Sequence, residues 1–218
     1  MSLFSIWGQY FPSYLQGLGV TIELTVLSLA LALVIGFVLA LMRLSKVRGL
    51  VIVATVYTDV LRAIPVLVML FIAYYSLGAI GIKLSGVEAA VLTLGAFYGA
   101  LYGEVFRGGI SGVDPGQREA AAALGLPPSS VMRKVVLPQA FLAILPPATN
   151  RFADIIKDTS LVVTISVADL MLQSYQAISA TYRPMDMLGL AAIMYFVVYL
   201  LVSRVLARWE LNVQRRRS

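Results

Sequence analysis

Charged residues recur inside apolar stretches of this chain, and they do so at three-residue spacing. The groups are Asp59 with Arg62, Glu104 with Arg107, and Asp154 with Arg151 and Lys157. Residues three apart share one face of a helix, so each acid has a basic neighbour and the groups can be self-neutralising pairs that hold helices together. The alternative is functional, because charges inside a membrane are costly. Asp59, Glu104 and Asp154 would then surround a cavity in the membrane and bind an ammonium group or a cationic side chain.

The residue types that most catalytic sites use are missing. The chain has no histidine and no cysteine, which removes the usual general base, the commonest metal ligand and all thiolate chemistry. It also has no Gly-x-Ser-x-Gly turn and no Gly-Lys dipeptide, so it lacks the nucleophile turn of hydrolases and the Walker A loop that cradles ATP. The sequence therefore predicts a non-catalytic chain with no metal site and no cofactor of its own.

The elements that must position these charges are membrane spans. The chain is 60% hydrophobic and only 13% charged, with a mean hydropathy of +0.88, whereas soluble domains are usually about 25% charged. A spanning helix needs roughly 20 mostly apolar residues. Five stretches qualify, at about 17–42, 50–77, 86–106, 135–165 and 187–207. Because no Lys or Arg precedes Met42, we expect the first stretch to be a span and not a signal peptide. The prediction is one all-α transmembrane domain over residues 1–218.

The basic residues predict the orientation of the spans, since cytoplasmic loops concentrate Lys and Arg. With the N-terminus outside and the C-terminus inside, twelve basic residues face the cytoplasm and only Lys83 and Arg183 face outward. The twelve are Arg43, Lys46, Arg48, Arg107, Arg118, Arg133, Lys134, Arg204, Arg208, Arg215, Arg216 and Arg217. The net charge of +6 is therefore a topology signal and does not indicate nucleic acid. The cluster at 215–217 is predicted to meet anionic lipid.

Several residues predict interruptions or close packing of the spans. Pro65 is expected to kink or break the second span, and the Pro146-Pro147 pair is expected to break the fourth, just before Asp154. Residues 158–183 are interpreted as the end of the fourth span plus a re-entrant or surface helix on the outer side. Glycines at 95, 99 and 103 recur every four residues in the third span, which favours close helix packing.

The longest cytoplasmic connection, at about 108–134, differs from the rest of the chain. Asp114 is predicted to cap a helix that has Pro115 at its first position. The alanine-rich run after it is strongly helix-forming, and Gly125 fits the left-handed position that ends it. Ser129 or Ser130 is expected to start a second short helix that runs through Lys134. The sequence thus predicts two short helices outside the membrane.

This loop resembles the EAA loop of the permease subunits of ABC importers. The pattern is Glu-Ala-Ala, three residues, Gly, nine residues, an aliphatic residue, one residue, Leu-Pro. Here it comprises Glu119, Ala120, Ala121, Gly125, Val135, Leu137 and Pro138. Other segments are similar to the polar amino acid permeases within that family, over nearly the whole chain. They are Arg62-Ala63-Ile64-Pro65, Tyr102 to Ile110, Pro138-Gln139-Ala140, Lys157 to Leu161 and Tyr182-Arg183-Pro184.

The resemblance implies a multi-pass protein of the bacterial cytoplasmic (inner) membrane with the MetI-like permease fold. It implies that Glu119, Ala120, Ala121, Gly125, Leu137 and Pro138 dock on a dimer of ATP-binding subunits, which use ATP and Mg²⁺. It also implies a second permease subunit, identical or related, and an extracytoplasmic binding protein that delivers a polar or charged amino acid. Two short helices seated in an ATPase would pass a rigid-body movement to the spans.

Two other classes of protein are weighed against this interpretation. An intramembrane enzyme would need a nucleophile with a base, or metal ligands, and the chain offers neither. A channel or an ion-driven carrier would need no ATPase, and carriers usually show two repeated halves, which this sequence does not show. Co-purification with an ATPase subunit distinguishes a permease from both alternatives.

Overall fold

Helices make up almost all of the described chain. The computed structural model describes the backbone of residues 3–215 and the side chains of residues 5–208, and no strand occurs in that range. The arginine cluster at 215–217, predicted to meet lipid, lies outside the described side chains. The predicted all-α fold class is confirmed by this architecture.

Eight helical segments follow one another between residues 3 and 215. They are α1 (Leu3–Leu44), α2 (Arg48–Ala63), α3 (Val66–Ala79), α4 (Gly86–Ser111), α5 (Pro115–Ala123), α6 (Pro128–Ile165), α7 (Leu170–Thr181) and α8 (Pro184–Arg215). Within them, π-helical turns occur at Ile72–Ser76 in α3 and at Met132–Val136 in α6, and α6 ends as a 3₁₀ helix at Thr159–Ile165. Four segments, α1, α4, α6 and α8, are long and apolar enough to cross a membrane, and α2 with α3 adds a fifth span if the two count as one.

Helix α1 is much longer than the predicted first span. It has 42 residues, or about 63 Å at 1.5 Å per residue, whereas the hydrocarbon core of a bilayer is about 30 Å thick. The helix therefore begins well before the predicted span, and its first turns pack against α7 and α8. The buried Ile6 and Tyr14 contact Leu170 and Met187 there. The Tyr14 hydroxyl donates to the Met187 carbonyl at 3.0 Å.

The second predicted span is broken at Pro65. Helix α2 ends at Ala63, Ile64 is extended, and α3 starts at Val66. The axes of α2 and α3 meet at 100°. Proline lacks the N–H that would continue the helix, and its ring disfavours helical backbone at the residue before it. The break predicted at Pro65 is therefore confirmed.

Helices α1 and α4 form the most extensive helix pair of the described chain. A side chain added at Gly95 or Gly99 of α4 would overlap Leu31 or Ile35 of α1, at 2.5 Å and 2.6 Å. Across the same seam, an added Cβ at Gly36 of α1 would lie 2.7 Å from Tyr102. Glycine therefore sets how closely the two backbones approach, as the four-residue spacing predicts.

The expectation that Pro146-Pro147 breaks the fourth span is wrong. The α-helical part of α6 runs without interruption over Leu137–Asp158, through both prolines. Each proline leaves the carbonyl four residues before it without its helical partner, and membrane helices tolerate this where neighbouring groups and local adjustments satisfy the backbone. Two hydroxyl groups bond other carbonyls of the same turn. Thr149 donates to the Pro146 carbonyl at 2.8 Å, and Tyr102 of α4 donates to that of Ala148 at 3.0 Å.

The irregular backbone lies instead between residues 158 and 170. The α-helix gives way to the 3₁₀ helix Thr159–Ile165, and Ser166 adopts left-handed backbone with φ 60°. Asp169 then caps α7, its carboxylate accepting from the Leu172 N–H at 2.9 Å. The interpretation of residues 158–183 as a span end followed by a separate helix agrees with this path.

The long connection contains the two predicted helices, but the second differs from the prediction at both ends. Asp114 caps α5, accepting from the Gly116 N–H at 2.7 Å, and Gly125 is left-handed with φ 78°. The second helix begins at Pro128, before Ser129, and does not end at Lys134. It passes through the π-helical turn directly into the fourth span, and Pro138 lies in the first turn of the α-helical part that follows.

Candidate functional site

The end of the α-helical part of α6 brings an acid and a phenol together inside the helix bundle. The hydroxyl of Tyr98, in α4, donates to the Asp158 carboxylate at 2.7 Å, and Tyr98 is 2% exposed. Gly95 and Gly99 flank Tyr98 along α4 and let α1 approach closely. The acid lies at the C-terminal end of an α-helix, where the backbone carries partial negative charge. This position favours a cation.

Asp154 stands one turn before Asp158 and lies between two bases. Its carboxylate contacts Lys157 at 2.8 Å and Arg151 at 3.4 Å, both on the same face of α6. The side chain of Lys157 is 59% exposed, and that of Asp154 is 36% exposed. The structure thus brings together all three predicted charges of this helix. Their carboxylate and ammonium groups are accessible and not sealed in the core.

Glu104 lies at the junction of α1 and α4 and is paired twice. It forms ion pairs with Arg43 of α1 and with Arg107, the second at 2.8 Å. The Glu104 and Arg43 side chains are only 24% and 18% exposed. The pairing within α4 is the predicted one, whereas the sequence did not identify Arg43 as a partner. Both carboxylate oxygens of Glu104 are therefore occupied by guanidinium groups of this chain.

Asp59 and Arg62 remain apart although they share a helix face. Both are exposed on α2, and neither takes part in an ion pair among the side chains of residues 5–208. Asp59 does act electrostatically on Arg43, so it belongs to the same end of the bundle as Glu104.

The three acids predicted to surround one cavity do not converge in this chain. Tyr102 bonds the Ala148 carbonyl, so Glu104 lies near the level of Ala148. Asp154 is six residues farther along α6, about 9 Å along the axis. Asp158 and Asp154 therefore form one acidic site, whereas Glu104 lies at a different level, paired with Arg43 and Arg107.

The residues predicted to couple the chain to an ATPase lie on and after α5. Glu119, Ala120, Gly125 and Leu137 are exposed, whereas Ala121 is buried. Ala121 packs against a cluster of buried side chains from α6 and from the link before α5, namely Val113, Val131, Val136 and Ala140. Pro138 is the second residue of the straight α-helical part of α6. The helix α5 thus has one face against the bundle and one face open.

Comparison with known proteins identifies the family. Residues 3–217 match the family described as the inner membrane component of binding-protein-dependent transport systems. The chain belongs to this family. The family predicted from the EAA loop is confirmed, and this permease is a multi-pass protein of the inner membrane.

Named relatives align over almost the whole permease. The arginine transport system permease protein ArtQ of Bacillus subtilis is 36% identical over 88% of each chain. The probable glutamine permease GlnM of the same organism is 32% identical over 91% of this chain and 92% of its own. The nopaline permease NocM of Agrobacterium fabrum is 36% identical over 94% of this chain and 90% of its own.

Solved structures agree with the predicted fold. An amino acid ABC transporter crystallised with histidines matches with a TM-score of 0.92 and 35% identity, over 97% of this permease and 99% of that chain. The MetNI methionine transporter matches at a TM-score of 0.75 and 19% identity, over 92% and 96% of the two chains. The second match concerns the fold alone, and it confirms the predicted MetI-like architecture.

Sequence reasoning missed Asp158 and Tyr98 as site residues of the permease. The signal for Asp158 was present in the Lys157-Asp158-Thr159-Ser160 segment, because Asp, Thr and Ser favour helix ends over helix interiors. Tyr98 gave no comparable signal, since a tyrosine in an apolar stretch is ordinary. A further buried acid, Asp169, lies between the spans, where burial raises its pKa to about 6. It caps α7 and approaches the Tyr195 hydroxyl at 3.3 Å.

Proposed function

We propose that this permease carries a polar or charged amino acid into the cell as part of an ATP-driven importer. The named relatives that support the substrate class are permeases for arginine, glutamine and nopaline. A solved amino acid transporter at 35% identity supports it as well. The proposal concerns a substrate that bears an ammonium group and a carboxylate.

The observation that carries the proposal is the acid at the interrupted end of α6. Discontinuous membrane helices present backbone carbonyls and a helix terminus to substrates and ions in many transporters. Here the Asp158 carboxylate, the partial negative charge of the helix end and the neighbouring Asp154 all favour an ammonium group. The exposed Lys157 ammonium and Arg151 guanidinium lie beside them and suit the carboxylate of the same molecule.

The driving force comes from a separate chain under this proposal. Hydrolysis of ATP with Mg²⁺ would take place on a dimer of ATP-binding subunits that dock on the open face of α5 and on the start of α6. A second permease subunit, identical or related, completes the membrane pathway, and an extracytoplasmic binding protein delivers the amino acid. The family description supports both the binding protein and the inner membrane location.

The test is transport by the reconstituted complex with a panel of amino acids. Asp158→Asn keeps the shape of the side chain and removes its charge. A charge-assisted hydrogen bond contributes about 1.5–3 kcal/mol, and a tenfold change in affinity corresponds to about 1.4 kcal/mol. We therefore expect the KM for uptake to rise about 10-fold to 100-fold.

The matched control is Asp186→Asn, which removes a carboxylate paired with Arg183 at the start of α8. This variant is expected to transport like the unmodified complex. Uptake by Asp158→Asn with an unchanged KM would exclude the acid from the substrate site. An amino acid panel that neither stimulates ATP hydrolysis nor enters the vesicles would exclude the substrate class.

A further inference from the structure

Arg118 of α5 reaches back to the end of α4. Its guanidinium Nη2 donates to the Ile110 carbonyl at 2.6 Å, across eight residues of chain. Ile110 is the next-to-last residue of α4, and the last four carbonyls of a helix have no partner within it. The Arg118 Nε atom is buried as well. Arg118 therefore lies between α5 and the end of α4 and does not extend into water.

The positive charge of Arg118 is favourable at the C-terminal end of α4 and unfavourable at its own position in α5. It is the fourth residue of α5, whose N-terminal turn carries partial positive charge and disfavours a cation. The C-terminal end of α4 carries partial negative charge, and a basic side chain there stabilises it. The guanidinium thus stabilises the contact between α5 and the end of α4 and does not stabilise α5 itself.

A second contact fixes the same side of α5. Ala121 follows Arg118 by three residues, shares its face and is buried against Val113 and Val136. The opposite side is open, since Ala120 and Ala123 are exposed. The chain between α4 and α5 is only Gly112–Asp114 and begins with a glycine. Without side-chain contacts, a link of this kind gives α5 freedom to swing about the end of α4.

We propose that Arg118 is a positioning residue that locks α5 to α4. A displacement of α5 by the ATPase is then passed to α4 and is not absorbed in the Gly112–Asp114 link. From α4 the movement reaches α1 through the Arg43–Glu104 ion pair. This inference rests on the proposed function, because it assigns a mechanical role within the coupling of ATP hydrolysis to transport.

The first test of the lock measures a distance between α4 and α5 and does not depend on transport activity. The chain contains no cysteine, so Gly108→Cys in α4 and Ala123→Cys in α5 provide two unique sites for spin labels. Both positions are exposed, and an added Cβ at Gly108 meets no atom within 4 Å. In the complete complex in lipid nanodiscs, we expect one narrow distance distribution. Arg118→Gln is expected to broaden it, and Arg118→Lys to restore part of it, since an ammonium group still donates to a carbonyl.

The second measurement is the number of amino acids imported per ATP hydrolysed. Loss of a charged hydrogen bond shifts an equilibrium by about tenfold or more. We therefore expect uptake per ATP to fall about tenfold in Arg118→Gln while the ATPase subunits still co-purify. Lys46→Gln removes an exposed cation of the connection between α1 and α2, outside α5 and α6, and is the matched control. It is expected to keep both the narrow distribution and the normal ratio.

Two outcomes would overturn the lock. One is an unchanged distance distribution and an unchanged ratio in Arg118→Gln. The other is loss of ATPase co-purification in Arg118→Gln, which would assign the guanidinium to the subunit interface. Failure of the proposed function is a different result, because the unmodified complex would then import no amino acid. The spin-label comparison would still test the lock in that case.

Discussion

At the scale of single residues, Glu104 allows its structural and functional roles to be separated. Its carboxylate pairs with Arg43 across the α1–α4 junction and with Arg107 on its own helix. The sequence leaves both roles open for this acid, as a self-neutralising partner of Arg107 and as a substrate ligand. A bridging carboxylate and a substrate ligand respond differently when the partner on α1 is removed, since only the bridge depends on Arg43.

The expected result follows from comparing Glu104→Gln with Arg43→Gln. If Glu104 bridges the helices, each variant loses a charged hydrogen bond of about 1.5–3 kcal/mol, and the double variant loses little more than either single one. Thermal unfolding of the purified complex measures this. A KM that rises in Glu104→Gln alone, with unchanged unfolding temperatures in all three variants, would instead indicate a substrate ligand. Full transport and normal stability in Glu104→Gln would exclude both roles.

At the scale of elements, the α1–α4 seam depends on the absence of side chains. Gly99→Ala would put a Cβ 2.6 Å from Cγ2 of Ile35. Overpacking of this kind typically destabilises by about 1–3 kcal/mol. We expect a lower unfolding temperature for the solubilised complex, with partial recovery when Ile35→Ala is added, since it removes the Cγ2 atom that the new Cβ overlaps.

Gly108→Ala is the control for this prediction because it makes the same chemical change on the same helix. An added Cβ there meets nothing within 4 Å. Removing a glycine from a helix stabilises it by roughly 0.5–1 kcal/mol. Equal effects of the two substitutions would mean that helix propensity, and not packing against α1, decides the role of Gly99.

At the scale of the whole molecule, the sequence predicts what depends on local residue types. Hydropathy locates the spans, Asp114 and Gly125 delimit α5, and Pro65 breaks the second span. The sequence does not predict the features of the fold that depend on tertiary contacts. The first turns of α1 are helical because Tyr14 and Ile6 pack on α7 and α8. The prolines at 146 and 147 stay within α6, and the same turn is joined to α4 by the bond from the Tyr102 hydroxyl to the Ala148 carbonyl.

In the candidate site, too, some contacts are predicted by sequence spacing and others depend on which helices pack together. The charges of α6 share a helix face, so spacing alone predicts their mutual contacts. The contact between Tyr98 and Asp158 joins residues 60 apart in sequence, and no periodicity within either helix specifies it. The same holds for Arg43 and Glu104. Sequence patterns predict which residues share a face of a helix, whereas the pairing of helices decides which faces meet.

The orientation of the whole permease is the last prediction, and it rests on charge alone. The sequence assigns twelve basic residues to the connections on one side of the predicted spans and two to the other side, which predicts an external N-terminus and a cytoplasmic C-terminus. Because the chain has no native cysteine, single cysteines report the side directly. Ile80→Cys and Ser179→Cys occupy exposed positions in the predicted outer connection and on α7, and Val47→Cys and Ser129→Cys occupy exposed positions in the predicted cytoplasmic connections.

A membrane-impermeant maleimide added to intact spheroplasts is expected to label the first two cysteines and not the last two. All four are expected to react after the membrane is permeabilised, which controls for local accessibility. The reverse pattern would invert the topology. It would also remove α5 from the cytoplasm, and with it the proposed route by which ATP hydrolysis reaches the spans. The labelling experiment therefore tests the orientation and the coupling helix together, because both must lie on the side where ATP is present.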